Sequence, residues 1–171
     1  MDYEKLFRPE QPKFYIQVMD ESSFADLYLQ LTEYYGEAAI RMVRGKKSTT
    51  VPDFFHEVGA ALQFPYYFGE NWDAFEECIT DLSWIDGEAY LLMVSQANLL
   101  LQDDAQKDFQ ILMEILSNAH KTWLTQPHVN ENEEEQPTPF HVLFACNDAD
   151  VSAFAQRLAE AGVEFQVLEC E

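Results

Sequence analysis

The residues best suited to chemistry in this sequence are carboxylates gathered in one predicted helix. A helical projection from residue 70, advancing about 100° per residue, places them along one side. These acidic residues, called here the carboxylate face, are Glu70, Asp73, Glu76, Glu77 and Asp81. The opposite side is apolar and carries Trp72, Phe75, Cys78, Ile79 and Leu82. The pattern predicts a helix that packs on its apolar side and presents carboxylates on the other.

The carboxylate face is unfavourable for an isolated helix. Asp73 and Glu77, and then Glu77 and Asp81, are like charges four residues apart, and each pair costs about 0.2–0.5 kcal/mol. No Lys or Arg in this segment compensates them. A solvated helix face is the simplest explanation of a charge run, but such faces usually mix both signs. The one-signed pattern favours recognition of a basic partner.

An enzyme that uses paired carboxylates for acid–base or metal chemistry is an alternative interpretation. Glu76 and Glu77 are adjacent and point about 100° apart on a helix, and the sequence suggests no histidine beside the carboxylate face. The scattered histidines, expected to be surface or hydrogen-bonded residues, are His56, His120, His128 and His141. We therefore predict no catalytic residue, no metal and no cofactor.

An aromatic loop directly precedes the carboxylate helix. Tyr66, Tyr67 and Phe68 stand between Pro65 and Gly69, so they cannot all point inward. Either one or two of them fill the core beneath the loop, or they form an aromatic anchor beside the carboxylates. Binding hot spots favour the latter composition.

The overall charge restricts the classes of partner. The 171 residues include 10 Lys and Arg against 31 Asp and Glu, which gives a net charge of −21. Residues 48–106 contain eleven acidic residues and no Lys or Arg. Nucleic acids and anionic membranes are disfavoured as partners, because both require clustered basic residues. A basic protein is the favoured partner, although acidity also serves solubility.

The cysteines and the N-terminal sequence predict a cytoplasmic chain. Cys78, Cys146 and Cys170 form no C-x-x-C pair, which is typical of a reduced protein without a disulfide framework. The N-terminal sequence lacks the basic start and apolar run of a signal peptide. No apolar run approaches the roughly 18 residues of a membrane span.

The elements that position these residues alternate between strands and helices. Strands are predicted near residues 14–18, 38–43, 89–94, 140–145 and 163–168. Helices are predicted from Ser22 or Ser23, from Thr50, and near 71–82, 104–121 and 150–161. The alternation indicates an α/β fold with a largely parallel sheet. Neither G-x-G-x-x-G nor G-x-x-x-x-G-K-[ST] occurs, so no nucleotide site is expected, and residues 130–139 are predicted to form an exposed acidic loop.

Residues 67–78, YFGENWDAFEEC, resemble the signature of the barstar family of intracellular ribonuclease inhibitors, which runs YYGENLDALWDC. The preceding helix, from Val51 to Pro65, also aligns without a gap, and the resemblance covers about residues 38–146. Residues 33–37, EYYGE, copy the start of the signature, but a strand without carboxylates follows them. The family motif is therefore placed at 67–78.

The resemblance implies a barstar-like α/β fold, with a small and mainly parallel β-sheet and packed helices. We predict a single domain over residues 1–171 with a barstar-like core over about 38–146. The N-terminal βα extension, residues 1–36, and the C-terminal αβ extension, residues 147–171, are expected to lengthen the sheet.

The resemblance also implies a function, namely an inhibitor or immunity protein that blocks the active site of a basic ribonuclease or nuclease toxin. Its members insert this helix and loop into the enzyme, and the central carboxylate, at Glu77 here, occupies a phosphate pocket. The partner-binding candidates are Tyr67, Phe68, Asn71, Asp73, Glu76, Glu77, Thr80 and Asp81.

Three residues depart from the family pattern. Glu76 replaces a tryptophan, Glu77 is one methylene longer than the family's aspartate, and Asp81 stands where a glycine is expected. A further family contact maps to Glu114 or Asn118. These departures leave the fold expectation intact but keep open a basic partner that is not a nuclease.

Overall fold

A computed structural model, which describes residues 3–9, 13–129 and 134–168, is built on a five-stranded parallel sheet. The strands of this sheet are β1 Phe14–Val18, β2 Ala39–Arg44, β3 Tyr90–Ser95, β6 Phe140–Cys146 and β7 Phe165–Leu168. Their spatial order is β2-β3-β6-β1-β7. A separate antiparallel ribbon is formed by β4 Pro127–Val129 and β5 Glu135–Pro137. The predicted α/β class with a mainly parallel sheet is confirmed.

In the part of the chain that the structure describes, five α-helices connect or flank the strands. They are α1 Glu21–Tyr34, α2 Val51–Ala61, α3 Trp72–Asp81, α4 Gln106–Leu124 and α5 Asp148–Glu160. Thr50 caps α2 as predicted, because its side chain accepts from the Asp53 N–H. The prediction that Ser22 or Ser23 caps α1 is wrong. Asp20 caps α1, and its carboxylate accepts from the Ser23 N–H at 2.8 Å.

Helices cover both faces of the sheet. Helix α1 packs on one face through Phe24, Leu27 and Leu31, whereas α2 to α5 pack on the other. Every residue of β3 and β6 is buried. Strands covered on both faces are expected to be continuously apolar, which explains the apolar run at residues 89–94.

Each extension adds one strand to the sheet on the β6 side, so that β1 lies beside β6 and β7 forms the edge. Strand β1 pairs with β6, where Phe14 lies opposite Val142, and β7 pairs with β1, where Phe165 lies opposite Phe14. In α5, the Arg157 guanidinium donates to the carbonyls of Leu100 and Leu101 at 2.6 and 3.1 Å. These contacts support the single domain over residues 1–171, which stays a prediction.

The structure describes only residues 134–139 of the acidic segment that was predicted to be an exposed loop. Residues 130–133 lie outside the described residues, as does Cys170. Residues 135–137 form β5 and pair with β4, so the expectation of a loop is wrong for this part. Sequence periodicity missed the strand because its residues are all exposed and show no apolar alternation.

Two buried histidines contact each other, His120 on α4 and His141 on β6. The rings of His120 and His141 are both fully buried, with centroids 5.2 Å apart. Nδ1 of His120 lies 2.7 Å from the Phe140 carbonyl oxygen. Burial lowers the pKa of His120 from 6.5 to about 4, so the folded protein holds this ring neutral.

Acidification should therefore destabilise the protein through His120. Between pH 6.5 and 4, His120 binds a proton in the unfolded chain but not in the folded chain, so the free energy of unfolding falls as pH falls. The loss should reach about 3 kcal/mol near pH 4. Urea unfolding of the wild type and of His120→Gln at pH 7.5 and 4.5 measures this loss of stability. Because the variant lacks the histidine, its free energy of unfolding should decline only through the other titratable groups. Equal declines in both proteins would contradict the assignment.

Candidate functional site

Three carboxylates of α3 are exposed to solvent, and none of them has a cationic partner among the described residues. Asp73, Glu77 and Asp81 are exposed on successive turns, and Glu76 beside them is half-buried. Within the described ranges, no Lys, Arg or His pairs with Asp73, Glu77 or Asp81. The repulsion within this row is therefore uncompensated in the chain itself. A cationic partner would relieve it.

The apolar side of α3 fixes the direction in which these carboxylates point. Phe75 and Ile79 are fully buried and Cys78 is nearly so, as the helical projection predicts. The Trp123 indole N–H of α4 donates to the Ile79 carbonyl at 2.9 Å. The helix is thus held by both packing and a hydrogen bond to its neighbour.

The start of α3 is fixed by a cap and a tight turn. The Asn71 side chain accepts from the Ala74 N–H at 2.9 Å and donates to the Gly69 carbonyl at 3.1 Å. A Cβ at Gly69 would lie 2.9 Å from Asn71 Nδ2, so only glycine leaves room for this contact. Glu70 has a φ of 50° and precedes the helix, so it is not part of the helical row.

The three aromatic residues of the loop divide between core and surface. Phe68 is half-buried, and its ring centroid lies 4.8 Å from that of Phe64. Tyr66 is fully exposed, and Tyr67 is 64% exposed. One aromatic residue fills the core beneath the loop, and two are available at the surface.

A small concavity joins the loop to α3. Its volume is about 130 Å³, and it is lined by Tyr67, Phe68, Ala74, Glu77, Cys78 and Asp81. The arrangement places an aromatic wall beside two carboxylates, which can hold a cationic side chain by cation–π contact and charge-assisted hydrogen bonds. Burial, with the charges of Asp81 and Glu77, raises the pKa of the Cys78 thiol. The thiol therefore stays protonated and acts as a small core residue.

Two other site candidates make internal hydrogen bonds. Asn118 Nδ2 of α4 donates to Glu76 Oε1 at 3.3 Å, so Asn118 is the α4 residue beside the face. Glu114, the other α4 candidate, is exposed one turn earlier. The Thr80 hydroxyl donates to the Glu76 carbonyl at 2.7 Å and is half-buried. Helix pairing between α3 and α4 created the Asn118 contact, and no sequence signal of α3 indicates it.

One long segment of the chain matches a known protein family. The sequence profile of the family described as Barstar (barnase inhibitor) matches residues 38–145. This chain belongs to the barstar family. The matched segment contains β2, α2, α3, β3, α4 and nearly all of β6, so the aromatic loop and the carboxylate face both lie inside the barstar region. Barstar is an inhibitor family, and its described target, barnase, is a protein. No protein with a curated description matches the chain.

Solved structures similar in fold to this barstar-family chain include ORC and Cdc6 proteins. The Aeropyrum pernix ORC2 protein (ADPNP-ADP complexes) is 7% identical with a TM-score of 0.57, covering 96% of this chain and 43% of that one. Cdc6p from Pyrobaculum aerophilum is 14% identical with a TM-score of 0.56, covering 94% and 39%. Drosophila ORC bound to AT-rich DNA and Cdc6 is 16% identical with a TM-score of 0.50, covering 97% and 49%.

These identities show a likeness of fold alone, and the barstar-family chain spans half or less of those chains. In α/β sheets a phosphate binds at a glycine-rich turn from a strand into a helix N-terminus. Here the turn after β1 is Met19 and Asp20, without glycine, and the Asp20 carboxylate caps α1. Hydrogen bonds from Ser23 lower the pKa of Asp20, so its negative charge stands where a phosphate would bind. The turn after β6 likewise leads into Asp148 and Asp150.

A further statement made from the sequence of this barstar-family chain is wrong. A histidine does lie beside the carboxylate face: His56 Nε2 of α2 is 3.1 Å from Glu70 Oε1, and both side chains are mainly exposed. The packing of α2 against the loop brings them together, and their spacing in sequence gives no signal. Over residues 3–9, 13–129 and 134–168, no group of three or more His, Cys, Asp or Glu is placed to hold a metal ion. In the same ranges, no helix is both long and apolar enough to cross a membrane.

Proposed function

We propose that this chain is a barstar-like inhibitor, an immunity protein that blocks the active site of a basic ribonuclease or nuclease toxin. One observation carries the proposal: the firmly packed helix α3 exposes a row of carboxylates that have no cation partner among the described residues, and an exposed tyrosine of the preceding loop lies beside this row. The proposed contact residues are Tyr67, Phe68, Asn71, Asp73, Glu76, Glu77, Thr80 and Asp81. The protein would act by binding and not by catalysis.

The mechanism follows from how ribonucleases hold RNA. Their active sites bind phosphates through Arg, Lys and His, so a positioned carboxylate can take the place of the substrate's anion. Glu77, at the centre of the α3 row, would enter the phosphate pocket, and Asp73 would bind a flanking cation. Tyr67 would pack against the rim of the enzyme's cleft. Because the α3 helix is already ordered, little conformational entropy is lost on binding.

The net charge of the chain supports the proposed partner, and its cysteine content supports the proposed location. A net charge of −21 attracts a basic protein and repels nucleic acid and anionic lipid. We infer a cytoplasmic toxin–antitoxin role, in which the cell's own nuclease is neutralised before it meets RNA. The cysteine content is consistent with a reducing compartment.

Titration of basic ribonucleases with the full chain tests the proposal. The panel should include any nuclease encoded beside this chain, because immunity proteins and toxins are produced together. Inhibition should be complete at one equivalent for the cognate enzyme, and co-expression should rescue cells from it. If no nuclease in the panel is inhibited at a large excess of the chain, the ribonuclease proposal is wrong.

Association with the cognate enzyme should depend strongly on salt. The association rate should fall at least about tenfold between about 50 mM and 500 mM NaCl, because long-range attraction is screened. The dissociation rate should change less, since it reports the contacts within the complex. Stopped-flow mixing and surface plasmon resonance separate the two rates. A salt effect confined to dissociation would contradict steering by the acidic surface.

A basic protein that is not a nuclease is the second candidate partner. Glu76 and Asp81 add two carboxylates where the barstar signature has a tryptophan and a glycine, so the face is more acidic than the pattern requires. Affinity capture with the full chain, compared with capture by Asp73→Ala/Glu77→Ala, distinguishes the candidates. A non-nuclease that is retained only by the wild type would favour this alternative.

A further inference from the structure

A groove of about 610 Å³ lies at the end of the sheet where the parallel strands begin. It is enclosed by the N-terminal extension, the segments that lead into β2, β3 and β6, and the β4–β5 ribbon. The residues of the EYYGE segment at 33–37, which copies the start of the family signature, supply four of its lining positions. None of the proposed α3 contact residues lines it. The groove is therefore a surface separate from the proposed inhibitory site.

Aromatic rings form one wall of this groove. Tyr35 stacks on Phe7 with ring centroids 3.9 Å apart, and Tyr34 meets Tyr35 edge-on at 4.8 Å. Tyr34 is 78% exposed although it belongs to a three-ring cluster. Pro137 and Pro139 also line the groove. Three aromatic rings and three prolines therefore line the groove, the third proline being Pro9.

The floor of the groove is held by backbone hydrogen bonds. The Glu88 N–H donates to the Glu37 carbonyl at 2.9 Å, and the Ala39 N–H donates to the Ala89 carbonyl at 2.8 Å. The Tyr90 N–H donates to the Pro139 carbonyl at 2.8 Å. These bonds join the segments that precede three strands, so the groove is already formed in the free protein and does not require ordering on binding.

The charges at the groove are acidic. Glu37 and Glu88 line it, and His128 Nε2 lies 4.0 Å from Glu88 Oε2. Among the described lining residues there is no Lys or Arg. A second hollow of about 690 Å³, which shares Tyr34 and Tyr35, is lined by Glu4 and Glu33. Glu4 is paired with Arg8, so a basic occupant would meet Glu33 on one side of the tyrosine pair and Glu37 and Glu88 on the other.

We propose that this groove binds an extended, proline-containing segment of a partner protein with an Arg or Lys beside its prolines. Proline-rich segments dock in aromatic-lined grooves because the polyproline II helix is rigid before binding and loses little entropy. The tyrosine faces receive the proline rings, and the carboxylates of Glu37 and Glu88 receive the basic side chain. The groove lies in the same acidic molecule but does not depend on the ribonuclease proposal.

Selection from a displayed library of short peptides, with two prolines three residues apart and random flanks, tests the proposal on the full chain. The wild type should enrich peptides with Arg or Lys next to the prolines. For the best peptide, Tyr34→Ala should weaken binding at least about tenfold, as expected for loss of an exposed aromatic contact. Glu88→Gln should weaken it less, and more at low salt than at high salt.

Two controls make the result specific. Tyr66→Ala, which removes a fully exposed tyrosine outside the groove, should leave peptide binding unchanged. Asp73→Ala/Glu77→Ala should also leave it unchanged, which separates this site from the inhibitory one. The proposal is overturned if the wild type enriches no proline peptides, or if Tyr34→Ala binds them as the wild type does. It is also overturned if light scattering shows a dimer that Tyr34→Ala dissociates, because the occupant would then be a second copy.

Discussion

Replacing Asp73 and Glu77 together by alanine should raise the dissociation constant for the cognate nuclease by at least about 1,000-fold, or roughly 4 kcal/mol. In the proposed complex Glu77 takes the place of an RNA phosphate and Asp73 binds a flanking cation, so their loss would leave cations of the enzyme unpaired. Inhibition titrations and calorimetry measure the effect. The free energy of unfolding should not fall, because the like-charge pairs Asp73/Glu77 and Glu77/Asp81 disappear.

A matched variant separates specific contact from general charge. Asp86→Ala/Asp103→Ala removes the same two charges from exposed positions outside α3. It should slow association modestly and leave the dissociation rate unchanged, because only long-range attraction is weakened. If the α3 double variant inhibits as tightly as this control, the α3 site assignment is wrong even where the chain proves to be an inhibitor.

The second large effect is on stability. Phe75→Ala should lower the free energy of unfolding by about 3–5 kcal/mol, since it empties a site in the centre of the core. Phe75 is fully buried, and its ring centroid lies 5.3 Å from that of Phe54 and 6.1 Å from that of Phe64. Trp72 and Phe55 also contact this ring. Urea denaturation monitored by circular dichroism measures the change.

Two control variants set limits on the loss of stability expected for Phe75→Ala. Phe75→Leu keeps most of the apolar volume and should cost clearly less than the alanine variant. Leu29→Ala, at an exposed position of α1, should change stability by less than about 0.5 kcal/mol. A loss below about 1 kcal/mol in Phe75→Ala would mean that α3 is not held by this ring cluster.

The sequence predicted the elements well where one local signal dominates. The apolar period of α3 identified Phe75, Cys78 and Ile79 as its buried side, because a helix that packs on one side must repeat every 3.6 residues. The same reasoning located β3, whose continuous apolar run indicates burial on both faces. The ends of the helices were predicted less accurately. Asp20, Ser22 and Ser23 are all capping residue types, and only the helix start decides among them.

The contacts between elements could not be predicted. The His56–Glu70 pair and the Asn118–Glu76 hydrogen bond join different elements, so they depend on how α2, the loop and α4 pack. The direction of Tyr67 and Phe68 depends on the same packing, because both are aromatic and adjacent. The sequence indicated that the three aromatic residues of the loop cannot all point inward, but it did not determine that Phe68 is the one that does.

The position of β1 has a consequence for how the protein is made. Strand β1 lies between β6 and β7, so Phe14 pairs with Val142 and Phe165. On the ribosome, β1 is synthesised before β2 but has no neighbouring strand until β6 has been made, and such distant pairings are slow to form. Strands β2, β3 and β6 are contiguous in the sheet and lie in the barstar region. The nascent chain should therefore assemble the half that carries α3 before the sheet is completed, and the binding surface should mature ahead of the whole molecule.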